Sequence, residues 1–85
     1  GDGAGALLRE ALADPAWQVR CAAAGELAAR AYERASTEAL IAALQREEEG
    51  SGARRALVAA LEAATGMRFG DRAAEWRRWF DELPE

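Results

Sequence analysis

Two leucine pairs put a period on this chain, and the period limits what it can become. Leu8 and Leu12 match Leu40 and Leu44 at an offset of 32 residues. Arg20, Ala22, Ala23 and Leu27 match Arg54, Ala56, Leu57 and Leu61 at an offset of 34. The difference of two falls in the glutamate-rich stretch between them, where an insertion costs little loop entropy. Two alanine-rich amphipathic helices share helical phase easily by chance, but the Arg and Leu positions coincide together less easily. A period of about 34 residues, with one helical hairpin in each, is the pattern of an α-solenoid.

The local signals agree. Leu7, Leu8 and Leu12 place a first helix over about Ala4 to Ala13. Asp14-Pro15 opens a second, with Asp14 accepting from the free backbone amides and Pro15 at the first helical position. It carries Trp17, Val19, Ala22, Ala23 and Leu27 and is expected to end near Arg34. Ser36 or Thr37 is the expected cap of a third helix bearing Leu40, Ile41 and Leu44. The run Glu47-Glu48-Glu49-Gly50-Ser51-Gly52 stops it. A fourth helix spans about Ala53 to Thr65, with Leu57 and Leu61 inward and Gly66 as the residue after its end. Asp71 is expected to cap a short last helix. The prediction is an all-α single domain over 1–85: hairpins at about 4–34 and 36–65 stacked as a solenoid, and a capping helix at about 71–82.

Composition supports this and removes chemistry. Alanine accounts for 23 of the 85 residues and leucine for nine, which favours closely packed helices around a thin core. No stretch alternates apolar and polar residues as a half-buried strand does. There is no histidine and one cysteine, Cys21. That excludes His-based acid/base catalysis, Ser-His and Cys-His nucleophiles, and the usual zinc sites, so we expect no enzyme activity, no metal and no cofactor. Cys21 sits in an alanine run, as a small packed hydrophobe does. The net charge is −4 and all 11 basic residues are Arg. A net acidic chain without a basic stripe is a poor candidate for phosphate-backbone binding. No apolar run approaches the roughly 20 residues that span a bilayer, and no signal peptide is evident, so a cytoplasmic location is expected. The chain lacks an initiating Met and Gly1 to Gly5 reads like a linker, as in a piece of a longer polypeptide.

The run Asp14-Pro15-Ala16-Trp17-Gln18-Val19-Arg20, followed by Ala22-Ala23 and Leu27, resembles the HEAT repeat family, especially its short bacterial kind. In the second copy Ala53 replaces the Val and Glu48 stands roughly where the Asp would be. The tail Thr65-Gly66-Met67-Arg68-Phe69-Gly70-Asp71, with Trp76 and Trp79 beyond it, is similar to the cap that closes many bacterial HEAT arrays. The resemblance covers nearly the whole chain. It implies a solenoid that binds other proteins, the C-terminal end of an array, with the Asp opening each second helix and the Arg six residues on bonding neighbouring repeats.

Six residues are candidates for a protein-interaction surface. Arg20 and Arg54 hold equivalent positions; they form a ladder between repeats or clamp a partner's carboxylate or phosphate, both of which a guanidinium binds bidentately. Glu26 stands where the second repeat has Ala60; it pairs with Arg30 one turn on or marks a contact surface. Trp17, in the first turn of its helix, either packs or anchors a partner. Leu7 and Leu8 lie on an N-terminal side that nothing earlier in the chain covers. Trp76, Trp79 and Phe80 share one helix face and are expected to form the lid of the core, or else surface anchors. The three glutamates are read as a solvated turn or a partner-facing loop tip.

These features point to a non-catalytic scaffold or adaptor that binds an unidentified protein, by self-association or by joining upstream repeats. Two rivals are a helical-bundle adaptor pairing homotypically, as death-fold or effector-associated domains do, and a regulatory appendage of an enzyme. Helix order in space separates the first two. A solenoid places helices one and three in one layer and two and four in the other, whereas a death fold wraps six helices around a shared core.

Overall fold

The computed structural model describes residues 3–29 and 34–84, which form five α-helices and no strand. They are α1 (Gly3–Ala11), α2 (Trp17–Ala28), α3 (Arg34–Arg46), α4 (Gly52–Thr65) and α5 (Ala73–Asp81). Helix α1 packs against α2 and α3 against α4, giving two hairpins. Between hairpins α2 lies along α4 and α1 meets α3, while α5 packs on α3. The molecule measures 35 × 30 × 17 Å, a slab whose thin dimension suits two layers of helices at the usual 8–10 Å interaxial spacing.

One core joins all five helices. Leu12, Leu27, Leu40, Ile41, Leu44, Leu57, Leu61 and Trp76 are sealed from solvent. Ala23, Ala24, Ala43 and Ala60 are buried among them, with side chains small enough to let helix backbones approach closely. The aromatic lid forms as expected. Trp76 is fully buried and donates from Nε1 to the Gly70 carbonyl at 2.8 Å, and Phe80 is also in the core. Trp79 is half-buried, edge-on to Trp76 with ring centroids 6.0 Å apart. Arg34 lies 4.8 Å over the Phe80 ring, and Arg77 reaches Gln45 and Glu38, so α5 is tied to α3 by polar contacts at its rim.

Three of the four expected caps differ from the structure. Helix α2 begins at Trp17, not at Pro15; Ala16 holds the cap position with φ −83° and ψ 122° and no side-chain cap. Asp14 Oδ1 accepts from the Ala16 amide instead, closing a tight local turn. Helix α3 begins at Arg34, so Ser36 and Thr37 lie inside its first turn, buried at 4% and 1% exposure. Their burial overrides their preference for a cap. Arg72, not Asp71, precedes α5, and the Asp71 carboxylate is drawn to Arg54. The expected end of the second helix near Arg34 is also too late, since α2 stops at Ala28; residues 30–33 lie outside those described.

The fourth cap is as expected. Gly66 adopts the left-handed conformation at φ 78°, and its amide donates to the Glu62 carbonyl at 2.8 Å. A Cβ there would meet nothing within 4 Å, so the cost of a side chain is purely conformational. Gly66→Ala is therefore expected to lower stability by about 1 kcal/mol, the usual price of an L-residue in that region, and thermal unfolding by circular dichroism will read it.

Candidate interaction surface

The two equivalent arginines lie at the junctions between successive segments. Arg20, on α2, forks onto Glu47 through Nε to Oε2 at 2.5 Å and Nη2 to Oε1 at 3.2 Å. Its Nη1 donates to the carbonyls of Asp14 and Pro15 at 2.8 and 3.0 Å. Arg54, on α4, repeats the pattern one hairpin later. Its Nη1 donates to the carbonyls of Leu44 and Glu47 at 3.0 and 2.8 Å, and its Nε to the carboxylate of Asp71. Each arginine thus holds the turn of its own hairpin with one nitrogen and a carboxylate of the next segment with another. Glu47 serves both: its carboxylate takes Arg20 and its carbonyl takes Arg54.

Local sequence makes this possible. Ser51 caps α4 by accepting from the Arg54 amide at 3.0 Å, which fixes the start of the helix and so the place of the guanidinium. Burial strengthens the contacts, since the Arg54 side chain is 9% exposed and that of Glu47 11%. Glu47 was missed as a separate residue because the three glutamates read as one solvated run. Only Glu48 and Glu49 are exposed. The partner of Arg20 is therefore Glu47, one residue before the glutamate that the repeat alignment places there.

The remaining candidates divide into exposed and covered groups. Leu7 is 68% exposed and Trp17 56%. Leu8, expected on the open side, instead packs partly buried against the core. Glu26 is exposed; its expected partner Arg30 lies outside the described residues. Cys21 is only partly covered, so it is not the fully packed hydrophobe the alanine run suggests.

Overlaying the repeats shows why this side is open. Val19 is 39% exposed, whereas its counterpart Ala53 is 4% exposed. Glu26 is exposed, whereas its counterpart Ala60 is 4% exposed. Leu7 stands free, whereas Ala39 packs against the core. The positions that are covered in the second hairpin, against which the first one packs, are bare in the first. They form a face of α1 and α2 carrying Leu7, Val19 and Glu26; Trp17, exposed two residues before Val19, points to another side of α2.

No group of three or more potential metal-ligating His, Cys, Asp or Glu side chains occurs among the described residues, and no described helix is long and apolar enough to cross a membrane. Compared with models of protein families, with curated proteins and with solved structures, the chain finds no match.

Proposed function

We propose that this protein is a non-catalytic interaction module, a scaffold or adaptor of the HEAT-like kind, which binds another protein through the open face of α1 and α2. The observation that carries the proposal is the exposure of Leu7 and Val19 at positions whose counterparts in the second hairpin, Ala39 and Ala53, pack against the core or are buried. Contiguous exposed apolar surface on a small protein marks an interaction site. The two-layer helix order, with α2 along α4 and α1 against α3, favours a solenoid over a six-helix death fold. The arginine contacts between segments support the same reading, because they repeat along the chain as the repeat pattern does.

Substitutions on this face test it. Leu7→Glu and Val19→Glu are expected to move the stability of the dilute protein by less than about 0.5 kcal/mol, as exposed positions do. They are expected to abolish the weak self-association that an open apolar face gives the isolated chain. Loss of folding in these variants would place the two side chains in the core. Association that persists unchanged would place the binding surface elsewhere.

A further inference from the structure

We infer that the cleft beside Phe69 and Trp79 is a second interaction site, which receives an arginine side chain of a partner protein and sets its guanidinium between those rings and the carboxylates of Glu75 and Glu82. None of its residues lies on α1 or α2, so it is separate from the open face. Glu75, Trp79 and Glu82 fall at i, i+4 and i+7, one strip of α5 and the residue after it. Phe69, from the segment before α5, completes the lining of an open cleft of about 220 Å³. The Phe69 and Trp79 rings lie 6.2 Å apart, tilted by 53°. Each also meets the buried Trp76 edge to face. The ring surface is therefore held in place before a ligand arrives, which lowers the cost of binding.

The α3 side of the same helix shows what such a setting holds. There the guanidinium of Arg34 lies 4.8 Å from the centroid of the Phe80 ring, and that of Arg77 lies 5.9 Å from it. Arg77 is 3.7 Å from the carboxylates of both Glu38 and Asp81. A ring flanked by two carboxylates is thus filled by arginine from this chain. The Trp79 side has the same parts without that occupant. Among the described residues no cation lies over Phe69 or Trp79, and the Glu75 and Glu82 side chains make no hydrogen bond or ion pair. Arg78 also lines the cleft, but it is exposed and pairs with neither carboxylate. Two carboxylates against one guanidinium leave the lining acidic, so charge selects a cation. Indole binds cations best among the aromatic side chains. Arginine fits better than lysine, since its planar fork stacks on a ring and bonds a carboxylate at once.

The test titrates the full chain with a capped glycine–arginine–glycine peptide and follows the indole signals by nitrogen–proton correlation NMR. We expect the Trp79 signal to move and saturate at millimolar peptide, while that of Trp17, on α2, stays in place. The same peptide with citrulline for arginine keeps the shape without the charge and should leave the Trp79 signal where it was. Glu75→Gln together with Glu82→Gln should weaken binding by about fivefold or more, the scale of losing exposed ion pairs. Arg78→Gln should instead tighten it by about twofold, because it removes a like charge from the cleft.

Weaker binding by the Arg78→Gln protein would overturn the inference, because Arg78 would then be the clamp for an anion. Equal movement with the citrulline peptide would overturn it as well, and so would a Trp79 signal that never moves. The comparison of the two peptides uses the unaltered chain, so it decides the matter even where a glutamine variant fails to fold. Failure here leaves the proposed role of the α1 and α2 face standing, since no residue is shared between the two.

Discussion

Truncating Leu61 to Ala is expected to cost about 2–5 kcal/mol, the range for buried leucines that leave a cavity. Leu61 is fully buried on α4, in the core that joins both hairpins and α5. A domain of this length holds only roughly 0.05–0.15 kcal/mol of stability per residue, so the loss takes a large share of the total. The alanine-rich neighbours make repair difficult, because small side chains have no length with which to move into the space. Arg46→Ala is the control. Arg46 is exposed in the last turn of α3, and its removal should change stability by less than about 0.5 kcal/mol. Urea unfolding of the two variants should differ clearly in midpoint; equal shifts would mean that the inward and outward faces of these helices are misassigned.

The second large effect is expected at Arg54. Its guanidinium satisfies the carbonyls of Leu44 and Glu47 where the first of those contacts is buried. Alanine leaves both acceptors without that donor, a penalty of about 1–3 kcal/mol for each group that stays out of water. Asp71 is half exposed at 47%, so it regains solvent and adds little. We expect Arg54→Ala to cost about 2–3 kcal/mol, on the scale of one unsatisfied buried acceptor. Lysine should not rescue it, since an ammonium lacks the planar fork that reaches two carbonyls and a carboxylate at once. Because one carbonyl contact is buried and neither is a pair of charges, the loss should persist in 1 M salt, which screens exposed charges more than about 3 Å apart. A loss that vanishes at high salt would reduce Arg54 to a surface ion pair.

Much of this was legible in the residues. Leucine spacing placed α1, α3 and α4, Asp14-Pro15 signalled α2 and the aromatics Trp76, Trp79 and Phe80 signalled α5, while Gly66 marked the end of α4 because the left-handed conformation it adopts has a distinct sequence signal. The Arg20 and Arg54 equivalence was readable too, since a repeated residue at a fixed offset implies a repeated environment. The caps were not. Ser36, Thr37 and Asp71 have the side chains of cap residues, but burial claimed the first two and Arg54 the third. Glu47 could not be separated from Glu48 and Glu49, because composition does not say which of three adjacent carboxylates faces the preceding hairpin. The exposure of the first hairpin was inferred from the absence of anything before Leu7. The register comparison replaces that argument with a physical one, and Leu8 is partly buried against the core.

The account stands most directly on the behaviour of the unmodified 85-residue chain across concentration. Apolar side chains left open on α1 and α2 should drive association, and association of the folded form alone raises its stability with concentration. Sedimentation equilibrium from low micromolar to millimolar protein, with melting temperatures at each concentration, measures both. The expected result is a folded monomer when dilute, a reversible rise in average mass, and a melting temperature that climbs with it. A folded monomer throughout, melting at one unchanging temperature, would contradict the account and show that the face of Leu7 and Val19 is not the interaction surface.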